Sequence, residues 1–273
     1  MRRIGPYTAA SVASFDTMLG DLQPDLQAVL GKIKAKVGTA CSDYDVLSPE
    51  VHTRAAIAVT KRQRKNLIES YDRRPVAIKR RLASMRDTLA PENADLCPYC
   101  SLDTNPDLDH FLPKAVFPEF SLHGTNLVPI CTPCNRKKLN SFATATGDRM
   151  FLHPSHEPSV DTPVLRASLG FPGGQGLTVT YDLMNPGMPG TEWGIVERHF
   201  GRLNLADRYA RRAASYLAAF KKNVTGMDWQ VVDKTLEDAR SSSTFGEPTN
   251  GWRPALFRAV PAVKVHLLAW LTS

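Results

Sequence analysis

The chain has 273 residues, 42% hydrophobic and 22% charged, the profile of a soluble globular protein of one large or two small domains. That length buries a core without disulfides, which argues against a disulfide-stapled scaffold. The net charge of +7 and a pI near 9.2 point toward a polyanionic partner.

The start, Met1-Arg2-Arg3, is followed by a stretch that Asp16 interrupts, so no signal peptide is expected and a cytoplasmic location is. From Phe15 to about Leu89 the pattern is helical. Pro24 suits the first turn of a helix covering Leu26, Val29, Leu30 and Ile33. Gly38 to Pro49 reads as a loop. Helices are predicted from about Glu50 to Tyr71 and from Pro75 to Thr88. Between Lys61 and Asp87 ten basic residues face three acidic ones, so this segment carries the whole positive excess of the protein.

Residues 91–145 form a cysteine-bounded module. Beyond it, Phe151 to Pro154, Thr162 to Leu169 and Leu177 to Leu183 read as short extended segments, with Gly173 to Gly176 as a turn. No G-K-[ST] follows those glycines, so they are not a P-loop. Helices resume at Glu192. Within Asp207 to Lys222, Tyr209, Ala213, Tyr216, Leu217 and Phe220 share a face, and Val231 to Arg240 and Pro254 to Leu271 add two more. The apolar run from Phe257 is broken by Arg258, Pro261, Lys264 and His266, as in a core helix and not a membrane span. The expected fold is α+β and mostly helical. Its regions are a basic helical one (1–90), a central zinc-bound ββα module (91–145), and a β-hairpin followed by helices (146–273).

Cys97, Cys100, Cys131 and Cys134 make two C-x-x-C pairs, a spacing that favours zinc over disulfides in a chain without a signal peptide. Four thiolates close a tetrahedral site, leaving no position for substrate, so such a zinc is structural. Cys41 stands apart and reads as a small buried hydrophobe. Between the pairs lies Leu108-Asp109-His110-Phe111, a candidate strand on which Asp109 and His110 would face opposite sides unless the strand end re-aims one. Asp109 can ligate a hard cation such as Mg²⁺ or Mn²⁺, and neutral His110 can take a proton from water. Asn135 offers a second oxygen ligand at the expected start of a helix running to Phe142, a position that also suits phosphate. Arg136, Lys137 and Lys138 would add charged contacts to a nucleic-acid backbone.

C-P-Y-C, D-H-F-L-P-K, N-L-V-P and C-x-x-C-N-x-x-K together resemble the zinc-clamped branch of the HNH endonuclease family. The resemblance covers about 45 residues. It implies a hairpin and helix around one divalent ion, with His110 as general base, Asp109 as a metal-binding acid and Asn126 orienting the loop that carries the base. Asn135 takes the last metal position, often His in the family, and Lys138 falls where many members carry a basic residue near the phosphate. DNA hydrolysis leaving a 5′-phosphate and a 3′-hydroxyl would follow. A weaker resemblance, through F-x-H-P and R-H-F-x-x-L-N-L-x-x-R-Y, is to HNH proteins of Septu-type anti-phage defence, which work with a separate ATPase. An RNase of the same architecture, aimed for example at tRNA, and a non-catalytic zinc module binding nucleic acid or protein are the alternatives. His123 reads as a surface-loop residue, His153 and His156 as structural, and Tyr99 as packing.

Overall fold

The computed structural model describes residues 15–76, 79–80, 83, 96–104, 107–157, 161–174, 176–243 and 247–273. The expected start at Met1 and most of the expected helix from Pro75 to Thr88, with Arg81 and Arg86, lie outside the described residues. The fold is α+β with two small antiparallel sheets, as the sequence pattern predicts. The chain divides into two compact units. One takes the described residues up to Pro98 with Asp103–Glu157, and the other takes Tyr99–Leu102 and the described residues beyond Glu157. The basic helices and most of the cysteine-bounded module, read from the sequence as separate regions, thus share one unit that runs on to Glu157, while Tyr99–Leu102 of the module, with Cys100, belong to the other.

In that unit α1 is Phe15–Gly20, α2 is Pro24–Leu30 and α3 is Lys34–Leu47. Pro24 opens α2 as expected. Helix α3 overrides the expected loop at Gly38 to Pro49. Val37, Ala40, Cys41 and Tyr44 recur at helical spacing and are all buried. Their burial outweighs the roughly 1 kcal/mol that Gly38 costs in a helix. The helix ends one residue before Ser48, which a following proline keeps extended. The helix expected from Glu50 is replaced by a 3-10 turn, Glu50–Thr53, and an irregular stretch. Helix α4 is Lys61–Asp72. Its start is fixed by a capping box: Thr60 Oγ1 accepts from Gln63 N (3.2 Å) while Gln63 Oε1 accepts from Thr60 N (2.9 Å). Helix α1 packs on α3, and α2 on α4. The unit continues with β1 (Asp107–His110), β2 (Leu127–Ile130) and α5 (Thr132–Lys138). Phe151 and Leu152 are buried but join no strand.

In the second unit β3 (Leu165–Gly170) and β4 (Thr178–Leu183) form the expected hairpin, turned by Gly173 at φ 63°. On β4, Val179 and Tyr181 point inward while Thr178 and Thr180 face solvent. Four helices follow: α6 (Gly190–Arg202), α7 (Leu205–Val224), α8 (Trp229–Ser243) and α9 (Trp252–Thr272). Helix α7 packs on β4 through the expected stripe of Tyr209, Ala213 and Leu217, and α9 packs on β3, α7 and α8. By length and composition α9 could cross a membrane. It buries Leu256, Phe257, Val260, Leu267 and Trp270 within its own unit and leaves Val265 exposed.

Replacing Thr60 by Ala removes one half of the capping box and should cost about 1 kcal/mol in denaturant unfolding, with Thr60→Ser close to wild type. Equal stability of the Ala and Ser variants would show that the cap contributes nothing.

Candidate functional site

Strands β1 and β2 pair antiparallel with Asp107 opposite Ile130, Leu108 opposite Pro129, Asp109 opposite Val128 and His110 opposite Leu127. Helix α5 follows at once and packs on β1, so the order hairpin-then-helix is realised. Cys131 is the N-cap and Pro133 lies in the first turn. Asn135 is therefore inside the helix and not at its start, and α5 ends at Lys138, short of Phe142. The proline sets the start because its missing N–H is harmless only in the first turn.

The four module cysteines lie buried with their sulfurs all within 4.8 Å of one another. A tetrahedral zinc with Zn–S bonds of ~2.3 Å needs sulfurs only ~3.8 Å apart, so small side-chain adjustments close the site. This cluster could bind zinc. The bends that bring the first pair together are visible locally. Cys97 N donates to Asp103 O (2.9 Å), Leu96 bridges to Thr104, and Ser101 takes φ 52°. Cys41 lies apart, its thiol pushed up to about 12 by burial and by nearby Asp45 and Glu119, so it is an inert core residue.

Alternation along β1 separates the two central residues, as the strand period requires. Asp109 turns toward α5, where its Oδ2 is 2.8 Å from Lys138 Nζ in an ion pair that lacks hydrogen-bond geometry. Burial raises the pKa of Asp109, and the Lys138 charge opposes that rise. His110 turns toward α4: its ring meets Tyr71 edge-on at 4.4 Å, and Nε2 is 2.9 Å from the Ser121 carbonyl. A carbonyl only accepts, so Nε2 carries the proton and Nδ1 keeps a lone pair. Burial, with the charges of Lys114 and Lys138, depresses the imidazole to about 4, so His110 is neutral near pH 7.

Asn126 is fully buried. Its Oδ1 accepts from Leu112 N (2.8 Å), and Nδ2 donates to the carbonyls of Leu112 (3.1 Å) and Phe120 (3.2 Å). It thereby fixes the backbone just after His110. Asn135 directs Nδ2 toward Asp107 Oδ2 (3.5 Å), which also accepts from Thr132 Oγ1 (3.1 Å). Arg136 is exposed and Lys137 partly so. Lys138, expected to reach a phosphate, is instead fully buried. Its Nζ donates to the His110 carbonyl (2.9 Å) and lies 5.8 Å from the Phe151 ring. Helical period explains this: Lys138 follows Cys134 by one turn and shares its inward face.

Two sets of residues were not singled out in the sequence. Asp107 shares the strand face of Asp109, a D-x-D signal of period two. Tyr71 anchors the basic helix beside the histidine. Its hydroxyl donates to Leu108 O (3.2 Å), Arg74 lies 4.0 Å from its ring, Asp72 pairs with Lys114, and Arg64 donates to Ala115 O. Lys61, Arg62, Arg64, Lys65 and Arg73 of this segment are exposed. In the second unit the R-H-F-x-x-L-N-L-x-x-R-Y motif braces the Tyr99–Cys100 segment: His199 Nε2 donates to Tyr99 O (2.8 Å), Tyr209 donates to Cys100 O (2.8 Å), and Arg208 Nη2 approaches Cys100 Sγ at 3.5 Å. Tyr99, buried and stacked on His199, is a packing residue as expected. His123 is not a surface residue: it is buried and bonded to Asp45 (3.0 Å) and Thr125 (2.6 Å). His153 is fully buried against the Tyr44 hydroxyl (3.2 Å), and its ring lies 4.6 Å from that of His156, in keeping with structural roles.

The chain is 26% identical over 138 residues to "Protein ea31" of Escherichia phage lambda, an overlap of 48% of this chain and 45% of that protein. The chain thus spans about half the length of the curated relative it matches. No protein-family model matches the chain, and no solved structure does.

A chelator that strips zinc, or the change Cys97→Ser, should lower the thermal midpoint and expose the module to protease, and purified wild type should hold about one zinc per chain. An unchanged midpoint in Cys97→Ser, read beside the metal content, would remove the zinc from the account. A second expectation concerns pH. His110 and His199 titrate near 6.5 when unfolded but are held to about 4 by burial. Between those values the unfolded chain binds more protons, so stability should fall as pH drops from 6.5 toward 4, by up to roughly 3 kcal/mol per imidazole. Denaturant midpoints measured across that window check this, and His199→Gln should flatten the slope.

Proposed function

We propose that this chain is an HNH-type, metal-dependent endonuclease that hydrolyses phosphodiester bonds in DNA. The observation that carries this reading is the state of His110: neutral, fixed through Nε2 to a backbone carbonyl, and left with an unprotonated Nδ1 at the end of the strand that also bears Asp109. The same strand carries Asp107 and Asp109, whose side chains alternate to the face opposite the imidazole. In this reading Nδ1 takes the proton of the water that attacks phosphorus.

The donor set fits a hard divalent ion such as Mg²⁺ or Mn²⁺. Asp109 is a buried carboxylate whose Oδ2 has the Lys138 ammonium 2.8 Å away as its counter-ion. Asn135 commits its Nδ2 to Asp107, which leaves Oδ1 as an oxygen donor. Asp109 and Asn135 would hold the ion, with Asp107 beside them. When bound, it would neutralise charge on the phosphate and on the leaving oxygen. Lys138 then acts from behind the site: one ammonium holds both the Asp109 carboxylate and the His110 backbone. The exposed side chain of Arg136 and those of α4 are left to contact the polyanion, with Lys61 and Arg62 carrying no acidic partner among the described residues. The resemblance of the C-terminal motifs adds the proposal that the chain serves anti-phage defence beside a separate ATPase, which co-purification from the native operon tests.

Nicking of supercoiled plasmid with Mg²⁺ or Mn²⁺ is the direct measurement. His110→Ala should lose activity by roughly 10²-fold or more. Asn135→Ala should weaken metal binding and cleavage while the fold survives, whereas Asp109→Ala should also lower stability because it leaves the buried Lys138 ammonium without its carboxylate. Equal cleavage by wild type and His110→Ala would overturn the assignment, as would no cleavage by either across several metals with candidate partners present. An RNA panel in the same assay decides between DNA and RNA.

A further inference from the structure

One cleft in the second unit is unrelated to the cysteine module. It has a volume of about 560 Å³, and all five consecutive residues Leu165 to Leu169 border it. Successive side chains of a strand point to opposite faces, so a space touching all five runs along the edge of β3. The opposite wall is α9, where Ala255, Ala259 and Ala262 leave room between helix and strand.

The hydrogen-bond parity of β3 identifies what its edge offers. Met184 N donates to Val164 O (2.9 Å), so Val164, Arg166, Ser168 and Gly170 bond to β4. Leu165, Ala167 and Leu169 therefore aim their N–H and C=O groups away from β4, into the cleft. At Leu165 both are taken: N donates to Asn250 Oδ1 (3.3 Å), and O accepts from Arg258 Nη2 (2.9 Å). Ala167 and Leu169 keep theirs unpaired among the described residues. An edge with free main-chain groups beside an apolar wall is a template for strand addition.

Charge and direction specify the added strand. Arg166 is paired with Asp182 (2.9 Å), but among the described residues Arg258 bonds only carbonyls, those of Leu165 and Thr249 (3.0 Å). A strand antiparallel to β3 would end at the N-terminal end of β3, where Asn250 and Arg258 already close the groove. We propose that this cleft takes the C-terminal tail of another protein as a third strand antiparallel to β3, with apolar side chains against the alanines of α9 and its terminal carboxylate at Arg258.

The probe is a fluorescein-labelled pentapeptide, Thr-Val-Thr-Val-Val, with a free C-terminus, and its amidated twin, titrated with the full-length protein by fluorescence anisotropy. The free acid should bind, with the amide about tenfold weaker, the loss of one charge-assisted pairing. Arg258→Gln should weaken the acid to the level of the amide and leave the amide unchanged. Ala262→Trp, which fills the groove from an exposed position, should abolish both, with circular dichroism confirming each fold. Equal binding of acid and amide, no binding of either, or full binding by folded Ala262→Trp would overturn the proposal. So would sedimentation showing a wild-type dimer that Ala262→Trp dissociates, which would make the occupant a second copy of this chain.

Discussion

Strands β1 and β2 are four residues each, and the sixteen residues that separate them return with little regular structure. A two-stranded pair of that length is marginal on its own in water, and a long connection adds closure entropy. The site therefore depends on ties that are not part of the ladder. Four sulfurs converge from the two ends of the segment, and Asn126 closes it from inside with three hydrogen bonds to main-chain groups. A zinc ion across the sulfurs would convert binding energy into folding energy for the strand that carries Asp109 and His110.

Lys138 is the second constraint. A buried ammonium is stable only when compensated, and here it has a carboxylate at 2.8 Å and a backbone carbonyl at 2.9 Å. The same charge acts on both neighbours in opposite senses: it favours ionised Asp109 and disfavours protonated His110. Burial is the larger cause at both residues, raising the pKa of Asp109 and keeping His110 neutral, and the Lys138 charge opposes the first effect and adds to the second. Alternation along the strand keeps the carboxylate and the imidazole on separate sides, so neither neutralises the other by a direct bond.

The parts of the fold legible in the sequence are those in which local pattern and burial agree. Pro24, the β3–β4 hairpin, the α7 stripe and the two C-x-x-C pairs are of this kind. Where a composition cue opposed burial, burial won. Gly38 and the polar residues around it suggested a loop, yet Val37, Ala40, Cys41 and Tyr44 hold α3 across them. Lys138 shows the same effect in the site: a lysine in a basic run looks like a surface charge, and only the inward turn of α5 reveals its burial. His123 was misplaced because its partner, Asp45, lies 78 residues away and no local pattern reports such a pairing. The capping box at Thr60 and the D-x-D at Asp107 were present in the sequence as period-three and period-two signals.

The basic segment gains its meaning from how α4 is anchored. Net positive charge alone attracts any polyanion and gives no register. Tyr71 supplies the register: its ring lies against His110, its hydroxyl bonds β1, and Arg74 and Lys114 flank it. The exposed cations of α4 are thereby held at a fixed position relative to the imidazole. If the chain cuts nucleic acid, a backbone gripped by α4 would be presented to one phosphate position and not to many. Selection of the scissile bond would then rest on packing around Tyr71 as much as on the chemistry of His110.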